Sequence, residues 1–313
     1  MIARLTICTL GLVWLTAAAA QTCGTAPLQA QLLCSNYPTS NGQCAGNSYL
    51  VWIDGRTRVL IDVGSGASRR FLEAGANAAD LDVILLTSLN AEHTADLPAL
   101  LQLSLSQGRD RTLPIYGPSG NKFSPSTVTF MRTLFDGTRG AYRHLGVLLN
   151  PLARDAYRLT PQDVGKERSR LGSRRLTESA SHQPFTNERL RARSLYLDRE
   201  TSPVLAWRID AGNTSIVFSQ DTASDNGSLE QLAKGADLFV LQQPDTNTKR
   251  GMDGAPALIS KKIAGLVEIT GVKHVVQARA PRKQKLESML DEASNNNAAQ
   301  SYAVTDSLEC FTP

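Results

Sequence analysis

The chain has 313 residues, 42% hydrophobic, 20% charged and 6% aromatic, with 33 Lys+Arg against 29 Asp+Glu and a formal net charge of +4. This ordinary globular composition excludes disordered, collagen-like and low-complexity architectures and leaves room for a sizeable core. The thin positive excess makes no case for nucleic acid or a membrane surface, so neither is expected as a partner.

Residues 1–20 read as a signal peptide. Arg4 supplies a positive start, residues 5–15 an apolar stretch too short for a bilayer span, and residues 16–20 a small-residue run, predicting cleavage after Ala20. No membrane anchor is expected after its removal, and the predicted location is outside the cytoplasm, in a bacterial periplasm. Removing Cys8 leaves Cys23, Cys34, Cys44 and Cys310, an even set that predicts two disulfides in an oxidising compartment. Three connectivities are open, and each ties Cys310 to the N-terminal arm, residues 21–46.

Residues 47–313 form the predicted main domain. Residues 49–53 and 58–62 read as a hairpin joined at Asp54-Gly55. A break at Gly64-Ser65-Gly66 precedes a short helix at 68–74, ended by Gly75. The apolar run 83–87 predicts a buried strand, and Leu97, Leu100, Leu101 and Leu105 give residues 95–106 a helical spacing. Around residues 160–200 the charges are dense and mixed, which predicts a solvated insertion. Strands are predicted at 204–209, 215–219, 238–241 and 274–277, with helices from Leu229, near 256–269 and after Pro281. Strands in both halves, each half with helices, predict two sheets packed face to face with helices outside.

One stretch carries a resemblance. The Asp62-Val63-Gly64 turn follows the second strand, and Thr87 ends the next. Then come Ser88-Leu89-Asn90-Ala91-Glu92-His93 and Thr94-Ala95-Asp96-Leu97-Pro98. Downstream stands Ser219-Gln220-Asp221-Thr222. These segments resemble the metallo-β-lactamase superfamily, in its ribonuclease Z and arylsulfatase-like branch, whose corresponding motifs are H-x-H-x-D-H, T-x-D-L-P and S-G-D-T. The resemblance implies an αββα sandwich and a two-metal hydrolytic centre. It also makes a homodimer one expected assembly.

The ligand set implied by the resemblance is depleted here. Ser88 and Asn90 stand at the first two histidine positions, Arg199 at the third and Ala278 at the last, with Gln242-Gln243 in the region of a further ligand. Neutral Ser and Asn oxygens are poor zinc donors. Glu92, His93 and Asp221 remain, three donors for one ion. His144, His182 and His274 fall on no family position. The leading expectation is therefore an exported, non-catalytic binding or structural protein without a cofactor and with an unknown ligand or protein partner. The alternative is a mononuclear hydrolase of an ester or phosphoester, using zinc or another divalent metal at Glu92, His93 and Asp221. A third reading makes Ser88 a nucleophile with His93 as base, although no G-x-S-x-G elbow is present. In the metal-free case Arg199, helped by Arg279 or Arg282, is expected to bridge the Glu92 and Asp221 carboxylates.

Overall fold

Successive side chains of the central strands face two different interiors, and this sets the layers. The structure, a computed structural model, describes residues 23–35, 44–165, 182–197, 202–220, 227–241, 265–278, 301–305 and 308–313. Strand β1 (Gln29–Cys34) precedes the hairpin of β2 (Ser48–Ile53) and β3 (Arg56–Ile61). Its turn holds Asp54 at φ 50° and Gly55 at φ 72°, the left-handed pair that matches strand twist. Helix α1 (Ala67–Glu73), β4 (Val83–Leu85), the single turn α2 (Ala91–Thr94), α3 (Leu97–Ser106) and β5 (Leu113–Pro118) follow. Then come α4 (Thr127–Phe135), a 3-10 segment (Arg143–Leu149) and β6 (Leu159–Val164).

The second half runs through β7 (His182–Thr186), β8 (Arg191–Leu197), β9 (Val204–Ala211), β10 (Thr214–Ser219), α5 (Ser228–Ala233) and β11 (Leu238–Leu241). Helical residues 265–270, β12 (His274–Ala278) and β13 (Ser301–Thr305) follow, and β14 (Cys310–Phe311) returns to the first half. Among the described residues the strands form two seven-stranded sheets, ordered β14-β1-β2-β3-β4-β5-β6 and β13-β12-β11-β10-β9-β8-β7. In each sheet the antiparallel pairs lie on one side and the parallel pairs on the other.

Tyr49, Val51, Val59, Ile61, Val83 and Leu85 of the first sheet meet Leu205, Trp207, Ile209, Ile216, Phe218 and Val240 of the second. The intervening Leu50, Leu60 and Ile84 turn outward onto α1, α3 and α4, and Val217, Phe239 and Leu241 turn onto α5 and residues 265–270. Fully burying one such side chain stabilises by about 1.5–3 kcal/mol, so strands apolar on both faces belong in a sandwich covered on both sides. This is the expected αββα arrangement. Cys23 pairs with Cys310 across 287 residues, and Cys34 with Cys44, which closes the three open connectivities.

The boundaries differ from the sequence expectation for local reasons. Strand β3 stops at Ile61 because Asp62 takes φ 57°. Strand β4 stops at Leu85, and shortly afterwards the Thr87 amide donates to the Asp62 carboxylate at 2.7 Å. The predicted helix 95–106 divides at Asp96, which caps α3 ahead of Pro98. Within residues 160–200, β6 and the hairpin β7–β8 supply strands to both sheets. Arg191 is exposed and Arg193 half-buried, whereas the intervening Ala192 is buried. That alternation is a strand signal which the charge density hid. The cleavage site, Arg199, Asp221, Gln242-Gln243, Arg279, Arg282 and the helix after Pro281 lie outside the described residues. Strand β13, parallel to β12, was not anticipated. No described helix is long and apolar enough to cross a membrane.

Candidate functional site

The parallel strands β3 and β4 end together, and the segments leaving them build one polar cluster. Asp62, fully buried, accepts from the Thr87 amide at 2.7 Å and the Thr87 hydroxyl at 2.6 Å, and pairs with His93 Nδ1 at 2.8 Å. Its left-handed backbone turns the chain so that Val63 and Gly64 run beneath α2. There the Asn47 and Val63 amides donate to the Glu92 and His93 carbonyls, each at 2.7 Å, and the Asp96 amide donates to the Val63 carbonyl at 3.0 Å. This approach requires glycine. A Cβ on Gly64 would lie 2.2 Å from the Glu92 carbonyl oxygen, and one on Gly46 2.7 Å from it.

The segment after β4 is also tied to the second sheet. Trp207 Nε1 donates to the Leu86 carbonyl at 3.1 Å and the Leu205 amide to the Thr87 carbonyl at 2.8 Å. Gln220, leaving β10, therefore reaches the same imidazole. Its amide nitrogen lies 2.9 Å from His93 Nε2 and 3.1 Å from Nδ1, and it donates to the Thr87 hydroxyl. In the family motif a glycine stands at this position.

His93 Nε2 faces Glu92 Oε1 at 3.2 Å; the ring is 1% exposed and the Glu92 side chain 35%. Burial lowers the imidazole pKa, but the charge and hydrogen bond of Asp62, followed by those of Glu92, outweigh it and push the value up to about 9. Without a metal ion the ring keeps its proton near neutrality, held between two carboxylates. Ser88 and Asn90 sit beside it in a neutral network: the Asn90 amide donates to Ser88 Oγ at 3.3 Å, and Ser202 Oγ donates to Asn90 Oδ1 at 3.0 Å. Ser88 Oγ lies 3.5 Å from Ser202 Oγ, with no described His positioned to activate it.

Of the residues singled out in the sequence, Ser88, Asn90, Glu92 and His93 converge. Arg199 and Asp221, and with them the expected guanidinium bridge, lie outside the described residues, and Ala278 closes β12 in the second sheet. His144 stacks edge-on against Tyr142 at 6.3 Å in the 3-10 segment, away from the cluster. Among the described residues no three His, Cys, Asp or Glu side chains gather as a metal site. Sequence reasoning missed the roles of Asp62, Thr87 and Gln220, although the Asp-x-Gly turn and the terminal Thr of the strand were visible.

Residues 41–104 match the metallo-beta-lactamase superfamily. A ribonuclease Z of Mycobacterium bovis (strain BCG / Pasteur 1173P2) is 30% identical over 218 residues, 68% of this chain and 69% of the relative. The solved structure of the metallo-beta-lactamase fold protein YhfI from Bacillus subtilis has a TM-score of 0.60 at 16% identity, covering 91% of this chain and 98% of its own. Human tRNase Z, short form, has a TM-score of 0.59 at 14% identity with coverage of 91% and 98%. A relative named as a ribonuclease, at that identity, overturns the expectation of an exported non-catalytic protein and the expectation that nucleic acid is no partner. The 30% identity over two thirds of both chains shows that the chain belongs to the metallo-beta-lactamase superfamily.

Proposed function

We propose that the chain is a metal-assisted hydrolase of phosphoester bonds with RNA as its substrate class. The observation that carries this reading is the orientation of His93: Asp62 holds Nδ1, so Nε2 is aimed at Glu92 near the half-exposed mouth of the cluster. A carboxylate behind a histidine is the usual support of a metal-ligating imidazole. The 30% identity to ribonuclease Z supports RNA over other phosphoesters.

The donor chemistry fits one divalent cation and not two. Glu92 and His93, with Asp221, are an adequate set for one ion, whereas Ser88 and Asn90 are neutral and already bonded to each other and to Ser202. When bound, such an ion supplies a Lewis acid and a water acidic enough to be deprotonated near neutral pH. The chain's own residues do the rest. Asp62 fixes the ring, and Thr87 fixes Asp62. The exposed Asn90 side-chain amide offers an uncharged hydrogen bond to a phosphate oxygen.

The test is cleavage of bis(p-nitrophenyl) phosphate and of an end-labelled RNA by purified protein supplied with zinc or manganese. Metal-dependent cleavage, lost in His93→Ala and Glu92→Ala, is the expected result. Absence of cleavage by the wild-type chain with either metal overturns the reading.

A further inference from the structure

Most arginines that pack against the first sheet and its neighbours are bonded. Arg111 and Arg189 hold Asp82, Arg208 holds Asp210, and Arg109 donates to the Ala78, Leu81 and Thr112 carbonyls. The segment from Arg132 to Arg158 is different. It carries Arg132, Arg139, Arg143, Arg154 and Arg158, no lysine, and Asp136 and Asp155 as its acids. None of these five guanidiniums has an ion-pair or hydrogen-bond partner among the described residues.

Two of them share a groove. Arg132 on α4 and Arg158 at the start of β6 line a depression of about 620 Å³, together with Val128, Asn150 and the backbone of Gly137 and Gly146. At its floor two backbone segments approach closely, which requires glycine: a Cβ on Gly146 would lie 2.5 Å from the Gly137 Cα. Asp136 also lines it, but its carboxylate is engaged by its own turn. It accepts from the Thr138 amide at 2.9 Å, the Thr138 hydroxyl at 2.6 Å and the Arg139 amide at 2.8 Å. Guanidiniums left unpaired around a groove are suited to phosphate, which their planar fork binds through two N–H groups.

The groove is not the catalytic cluster. It lies beside Leu159, Thr160 and Pro161, where β6 begins, whereas Asp62 and His93 stand where the parallel strands β3 and β4 end. A six-residue strand separates the two ends of the sheet by about 20 Å, so one phosphate cannot touch both. We propose that this groove docks the backbone of a single-stranded nucleic acid, with Arg132 and Arg158 as its phosphate contacts. The proposal rests on the reading of the chain as an RNA hydrolase.

The experiment is a fluorescence-anisotropy titration of a labelled 20-nucleotide RNA single strand at several salt concentrations. It compares the wild-type chain, Arg132→Ala/Arg158→Ala and the control Arg56→Ala/Arg69→Ala, which removes the same charge from another surface. Two lost phosphate contacts lower the log–log salt slope by about 1.4 and weaken binding about tenfold at low salt, while the control matches the wild type. Thermal melts of all three verify folding, and hydrolysis of bis(p-nitrophenyl) phosphate stays at the wild-type rate in the groove variant. Equal slopes for all three proteins overturn the proposal. So does an equal loss in the control, which reduces the effect to net charge, or arginine-dependent binding of inorganic pyrophosphate without RNA. Absence of phosphodiester cleavage by the wild type removes the underlying reading instead.

Discussion

Asp62 and Asp82 are both buried carboxylates of the first sheet, 0% and 3% exposed, one where β3 ends and the other just before β4 begins. They are neutralised in opposite ways. Asp62 meets a titratable cation, His93, sealed in the interior. Asp82 meets two permanent ones, Arg111 at 2.6 Å and Arg189 at 3.2 Å, whose side chains are 40% and 35% exposed. Arg189 comes from the β7–β8 turn, so permanent charges join the two sheets at the Asp82 end, while at the Asp62 end neutral hydrogen bonds join them and only Glu92 reaches the surface. One end of the sheet is built to hold. The other keeps a charge that protons or a metal can change.

The largest difference between the ends is expected on removing each carboxylate. Asp62→Ala orphans a sealed imidazolium and should lower the urea-unfolding free energy by about 3–5 kcal/mol. Asp82→Ala leaves guanidiniums that water can reach and should cost about 1–3 kcal/mol. Equal losses would break the contrast.

The pH dependence should then split the same way, followed as melting temperature of chelator-treated protein. The folded pKa of His93 is raised from 6.5 to about 9, so its contribution is complete below the unfolded value and disappears as pH rises through about 9. For Asp82, burial raises the pKa, but hydrogen bonds from Arg189 and Arg111 outweigh it and the net shift is downward. Its contribution is present above the ordinary carboxylate value of 3.8 and is lost as pH falls through the lower folded value. His93→Gln should flatten the alkaline limb alone, and Asp82→Asn the acid limb alone.

A smaller effect concerns the backbone that carries the cluster. Gly64→Ala sets a methyl against the Glu92 carbonyl and the Gly46 Cα and should cost about 1–3 kcal/mol by chemical denaturation. Gly265→Ala, with open space around it, should leave stability within experimental scatter. Equal values would mean that the close approach at Gly64 is not needed.

The smallest expected change sharpens the titratable end. Gln220 covers the His93 ring, so Gln220→Gly should raise zinc affinity about tenfold, near 1.4 kcal/mol by calorimetry. An unchanged affinity would show that the amide does not obstruct the imidazole.

The sequence alone was enough for the two-sheet architecture, the Asp54-Gly55 hairpin, the convergence of Ser88, Asn90, Glu92 and His93, and the family. Each is written in short-range order: apolar strand runs, a turn dipeptide, or residues within six positions of each other. The tertiary structure decided what chemistry those residues have. Gln220 reaches His93 across 127 positions and Ser202 reaches Ser88 across 114, contacts that leave no period in the chain. The overall charge of +4 likewise averaged away the arginines between Arg132 and Arg158. A net charge sums over the whole surface, whereas a polyanion responds to the few guanidiniums that folding leaves unpaired around one groove.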